Sequence, residues 1–146
     1  MLQSILRCYE QLRLSTYRNM FGLLRERDGS LSATEAYSVD VIHLLREPTI
    51  KEFADCLGIS QPNATYKVNQ LIQKGYVQKI PSMEDRRETH LQVTDRYIRY
   101  SDRGNENLIR ALETLKTQFT AQEMETFSRV IRALSDAIDQ DNALPI

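Results

Sequence analysis

A chain of 146 residues, 41% hydrophobic and 27% charged, has the length of one globular domain and the composition of a soluble one. No apolar run nears the roughly 18 residues of a membrane span, and Gln3, Arg7 and Glu10 interrupt the apolar positions of the N-terminus, which excludes a spanning protein and a secretory signal. The net charge of -1 averages two opposed regions: Cys56 to Met83 holds Lys67, Lys74 and Lys79 and no acid, whereas Thr120 to Ile146 holds five acids against Arg129 and Arg132, so a polyanion is drawn to the first and repelled by the second.

Residues 2–27 place Leu2, Ile5, Leu6, Tyr9, Leu12, Phe21 and Leu24 largely at three- and four-residue steps, predicting a long amphipathic helix. Asp28-Gly29-Ser30 breaks it. A second helix starts at Ser32 or Ala33, follows Tyr37, Val41, Leu44 and Leu45, and stops at Glu47-Pro48. Thr49 with Glu52 makes a capping box for a short third helix burying Ile50, Phe53, Ala54 and Leu57, a stripe that also suggests burial of Cys56. Gly58 supplies a turn, Ser60 caps the next start, and Pro62 lies in the first turn of a fourth helix from about Gln61 to Lys74. Gly75 ends it.

The period then changes to two. Tyr76 to Ile80 and Thr89 to Thr94 alternate as short strands around a polar loop, Pro81 to Glu88. Beyond Asp95 a helical pattern resumes through Ile98, Leu108, Ile109, Leu112, Leu115 and Phe119, with Gly104 an interior irregularity. Thr120 with Glu123 makes another capping box, and the last helix carries Met124, Phe127, Ile131, Leu134 and Ile138, a narrow seam suited to a partner helix.

Helix, turn, helix and two-stranded hairpin is the order of a winged helix-turn-helix, in which the second helix enters the DNA major groove and the loop reaches along the backbone or into the next groove. The fold expected is mainly α with a two-stranded β-hairpin wing. On the fourth helix, Ala64, Val68, Leu71 and Ile72 pack inward and Gln61, Asn63, Thr65, Tyr66, Lys67 and Gln70 form an acid-free outward set. Asn and Gln suit adenine edges, Thr a thymine methyl or a phosphate, and Lys67 a phosphate or guanine. Ser60 and the neighbouring amides offer a phosphate site. Lys79, Lys74, Arg96 and Arg99 would add backbone contacts.

The run from Thr49 to Thr94 resembles the DNA-binding half of MarR-type transcriptional regulators, through Leu57-Gly58-Ile59-Ser60, the helix end from Leu71 to Gly75 and Glu84-Asp85-Arg86-Arg87 at the family's mutual spacings. Two positions depart from the pattern: Tyr66-Lys67 stands where many members have an Arg, and Tyr97 stands where they have a Gly. The resemblance covers nearly the whole chain as a single MarR-like domain, with residues 31–94 as DNA-binding region and residues 1–30 and 95–140 as dimerisation helices. It implies that Asp85 orients an arginine and fixes the wing while a tip arginine enters the minor groove, roles shared between Arg86 and Arg87. Guanidinium suits both tasks.

A two-fold dimer, with intramolecular packing in a monomer as the alternative, is expected from the terminal stripes, which nothing else in one chain is long enough to cover. Its recognition helices would lie roughly 34–36 Å apart on an inverted-repeat operator. Repression is the expected outcome, since a dimer across a promoter blocks polymerase. The resemblance further implies release by a small aromatic effector, with Tyr9, Tyr17, Phe21, Tyr37 and His43 as pocket candidates or, equally, core residues. Relatives that sense peroxide place a cysteine in the first helix, as Cys8 is placed here.

Other classes have less behind them. Asp85 with His90, or Cys56 with His43, lacks an orienting third group and an oxyanion donor, and no phosphate-binding glycine loop or HExxH is present, so no enzyme, metal or cofactor is expected. An adaptor that uses a winged helix to bind protein has no need of an acid-free face.

Overall fold

The computed structural model describes residues 1–25, 30–82 and 88–142. Among the described residues, six helices and one hairpin follow in the order α1 (Leu2–Leu24), α2 (Ala33–Leu44), α3 (Ile50–Leu57), α4 (Gln61–Gln73), β1 (Val77–Pro81), β2 (Thr89–Val93), α5 (Asp95–Gln118) and α6 (Ala121–Asn142). They form two compact units, Met1–Asn105 and Glu106–Ile146. No described helix is long and apolar enough to cross a membrane.

In the first unit each short helix begins on a local hydrogen-bond signal. Ser32 accepts from Glu35 N while the Glu35 carboxylate accepts from Ser32 N, Thr49 and Glu52 repeat the reciprocal arrangement, and Ser60 Oγ accepts from Asn63 N at 3.4 Å. Each satisfies amides that the first helical turn leaves unpaired. Gly58 closes α3 at φ 61° and Gly75 follows α4 at φ 76°, left-handed conformations that glycine adopts at least cost.

Amphipathic spacing turns these elements onto one core. Ala36, Val39 and Ile42 of α2, Phe53 and Ala54 of α3, and Ala64, Val68 and Leu71 of α4 are buried together with Met20, Tyr76, Val77, Leu91 and Tyr97. β1 and β2 pair antiparallel in the register Val77 to Val93 through Pro81 to Thr89. An isolated bridge between Thr49 and His90 fastens the hairpin beside the start of α3.

The second helix ends earlier than Glu47-Pro48 would suggest. Its last residue is Leu44, and Arg46 and Glu47 take left-handed φ values of 57° and 63°, which side chains with a Cβ adopt only when surroundings hold them. Strand β2 provides that restraint. Gln92 Nε2 donates to Glu47 Oε1 at 2.7 Å, His90 Nδ1 donates to the Glu47 carbonyl at 2.6 Å, and Leu91 N donates to the Pro48 carbonyl at 2.8 Å. α1 likewise stops at Leu24, short of residue 27, and α5 runs unbroken through Gly104.

Candidate nucleic-acid interface

The site is built on α4. Three buried residues, Ala64, Val68 and Leu71, fix its rotation about its axis. At roughly 100° per residue, the direction opposite them belongs to Pro62, Tyr66, Asn69 and Gln73, flanked by Asn63 and Gln70. Pro62, Asn63, Tyr66, Asn69 and Gln73 are exposed, as is Gln61, while Thr65, Lys67 and Gln70 are half-buried. The outward set expected from the sequence therefore needs two additions. Asn69 and Gln73 were missed, although counting turns from the centre of the buried stripe, rather than from its edge, points to both.

Several of these side chains are already engaged. Thr65 Oγ1 donates to the Gln61 carbonyl at 2.9 Å, so its hydroxyl is turned back on its own helix. Gln70 Nε2 donates to Tyr66 Oη at 2.7 Å, joining two outward residues one turn apart. Ser60 uses its oxygen as the helix cap. That cap takes Asn63 N, Pro62 has no N–H, and Ala64 N donates to the Ser60 carbonyl, so the phosphate site expected from several amides at the start of α4 reduces to the amide of Gln61.

The charge of the stretch is redistributed by folding. Lys74 Nζ lies 2.8 Å from Glu35 Oε2 and donates to the Ser30 carbonyl at 2.9 Å, so its ammonium ties α4 to the start of α2. Partial burial raises the Glu35 pKa, but hydrogen bonds from Lys74 and Ser32 outweigh it and hold the carboxyl below its ordinary value. Arg96 likewise serves the fold, donating Nη1 to the Lys74 carbonyl at 3.0 Å with its guanidinium carbon 4.4 Å from the Tyr76 ring centre. That places a cation at the C-terminal end of α4, where the helix dipole favours one. Lys67 on α4 and Lys79, exposed on β1, remain as the cations the stretch presents to solvent; Arg99 is exposed on α5.

Asp85, Arg86 and Arg87 lie outside the described residues, between Ser82 and Glu88. The hairpin beneath them is defined to its ends, with Ser82 N donating to the Glu88 carbonyl at 3.0 Å.

The five aromatic pocket candidates do not converge. Tyr17, Phe21 and Tyr37 border an apolar groove of about 270 Å³ between α1 and α2. His43 borders a separate, polar cavity of about 330 Å³ with Asp40, Tyr97 and Tyr100. Tyr9 lines neither and carries the Arg13 guanidinium carbon 5.3 Å from its ring centre. Tyr9, Tyr17, Phe21 and Tyr37 are all exposed, so none is a core residue of the single chain. Cys8 is exposed on α1, and Cys56 is exposed too, contrary to the burial suggested by its neighbours. It lies to one side of the stripe formed by Phe53, Ala54 and Leu57.

Residues 31–88 match the sequence model of the MarR family. No curated protein matches the chain significantly, but solved structures do. FabT of Streptococcus pneumoniae, in complex with DNA, is 21% identical, with 96% of this chain and 99% of that one covered at a TM-score of 0.54. A mutant of MarR from E. coli, complexed with operator DNA, is 19% identical over 88% and 91% at 0.50. Transcriptional regulator Tm0710 of Thermotoga maritima is 16% identical over 98% and 99% at 0.55. The MarR-type fold thus extends beyond the matched segment to nearly the whole chain.

Proposed function

We propose that this chain is a homodimeric transcriptional regulator that binds an inverted-repeat DNA operator, represses the promoter it covers, and is released by a small ligand. The observation that carries the DNA-binding part is the outward face of α4, exposed, polar and free of acids from Gln61 to Gln73, on a fold whose relatives FabT and MarR were solved on DNA. Amide side chains on such a face match the hydrogen-bonding pattern of the major groove. Lys67 and Lys79, with Ser60 and the Gln61 amide at the start of α4, supply phosphate contacts, and Arg86 and Arg87 extend the wing into the minor groove under the orientation of Asp85.

Dimerisation is supported in each unit separately. α1 exposes Leu2, Ile5, Leu6 and Phe21, and α6 exposes Phe127, Val130, Ile131, Leu134 and Ile138, apolar stripes of a kind that soluble monomers seldom leave uncovered. The cavity beside His43 and the groove at Tyr17, Phe21 and Tyr37 are the places where a ligand would act. A cytoplasmic location and the absence of catalysis belong to the same reading.

The test is selection of bound sequences from a random duplex pool. An enriched inverted repeat with half-sites about one helical turn apart supports the reading, and binding without any sequence preference refutes operator recognition. Arg86→Ala with Arg87→Ala is expected to abolish binding to the selected duplex while the dimer remains folded; retained affinity in an anisotropy titration removes the wing from the interface.

A further inference from the structure

We propose that Tyr66 and Gln70 act as one unit that reads an A·T base pair, an inference that rests on α4 facing the major groove. Among the described residues, Tyr66 is the only large hydrophobic side chain exposed between Leu45 and Leu108. An aromatic ring is held out on a face otherwise made of amides. Its hydroxyl accepts from Gln70 Nε2 at 2.7 Å, a pairing available because residues four apart lie one above the other on a helix.

That hydrogen bond determines what each partner has left to offer. Gln70 gives one amide hydrogen to Tyr66 and keeps the other, together with its carbonyl oxygen. One donor and one acceptor on a glutamine amide are the pair that matches N7 and N6 of adenine. The restraint also removes rotamers from a flexible side chain before DNA arrives, so less entropy is lost on binding. The Tyr66 ring, held in turn by Gln70, presents apolar edge to the groove, and the apolar group a base pair displays there is the C5-methyl of thymine. Both halves therefore point to the same base pair. Asn69 and Gln73 border the unit on the outward face, and no carboxylate lies on α4 to repel the phosphates beside it.

The experiment begins with the operator selected by wild-type protein. Selection is repeated with Tyr66→Phe, Gln70→Ala and the double variant. Wild type and Tyr66→Ala are then titrated against operator carrying deoxyuridine in place of thymidine at the position read. The unit predicts one A·T position in each half-site whose preference falls roughly tenfold in either single variant, with the double variant no worse than the singles. Loss of the thymine methyl weakens wild type and leaves Tyr66→Ala indifferent. Tyr66→Phe keeps the ring and removes only the hydroxyl, and thermal unfolding of each variant controls for folding. The proposal is overturned if the single variants relax different positions or none, or if deoxyuridine has no effect on wild type. Failure of wild type to select any sequence is a different result, which removes operator recognition itself and this unit with it.

Discussion

Tyr97, near the start of α5, donates its phenolic hydroxyl to Asp40 Oδ1 in the middle of α2. Burial, reinforced by the Asp40 carboxylate, pushes the phenol far above its usual pKa, so the hydroxyl remains a donor at any pH the protein meets. Its ring lies 5.4 Å from His43 and 5.9 Å from Tyr100, centre to centre. The departure at this position from the glycine of the family pattern thus places a core residue after the wing, and the helix begins at Asp95 with Tyr97 N bonded to the Thr94 carbonyl. Tyr97→Phe keeps the packing and leaves a half-buried carboxylate oxygen without its donor. A loss of about 1–3 kcal/mol is expected, seen as a lower urea midpoint at unchanged slope.

Lys74 and Lys79 are expected to behave differently although both belong to the acid-free stretch. Removing Lys79 by alanine should flatten the slope of log affinity against log salt by about one, the signature of a lost phosphate contact. Lys74→Ala should leave that slope unchanged and lower the unfolding temperature, because it breaks the link to Glu35 and Ser30. Titrations of selected duplex over a salt series, with thermal unfolding alongside, separate the two. Equal effects on the salt slope would place Lys74 at the phosphates instead.

The capping glutamates give stability a defined pH dependence. The amide and hydroxyl of Thr49 hold the Glu52 carboxyl below its ordinary 4.5, and Glu35 is held below the same value. A carboxyl whose pKa is lower folded than unfolded contributes stability that is fully present above about 4.5 and is lost as pH falls through the folded value. Glu35→Gln, which cannot titrate, is therefore expected to lose less stability than wild type between neutral pH and pH 3. Urea midpoints across that interval provide the check; parallel declines would show that Glu35 has no part in it.

Gly58 tests a purely conformational cost. A Cβ built there meets no atom within 4 Å, and the residue sits at φ 61°. Gly58→Val is expected to destabilise by roughly 1–2 kcal/mol, while Gly58→Asn, which tolerates left-handed backbone, costs less. Similar losses for the two would mean that something other than backbone strain decides the position.

What was legible in the sequence depended on the range of the interaction. Ser32 with Glu35, Thr49 with Glu52, and Gly58 and Gly75 act within one turn, so the starts and ends they govern could be read from neighbouring residues. The end of α2 could not, because the left-handed turn at Arg46 and Glu47 is held by Gln92, His90 and Leu91, more than forty residues later. Lys74 read as a surface cation for the same reason: Glu35, its partner, lies 39 residues away. On α4 the signal was local but miscounted, which gave Tyr66 and Gln70 yet omitted Asn69 and Gln73. Neither periodicity nor spacing shows that Tyr66 and Gln70 are hydrogen-bonded.

The most direct measurement on the central claim, that the outward face of α4 enters the groove, is an anisotropy titration of selected duplex with the Asn69→Glu, Gln73→Glu double variant. Both side chains are exposed, so the unfolding temperature is expected to stay within a few degrees of wild type. Two carboxylates on the face that approaches the duplex should reduce affinity by at least tenfold through repulsion of the phosphates and loss of amide contacts. Undiminished affinity in a folded double variant would show that DNA is bound elsewhere on the molecule.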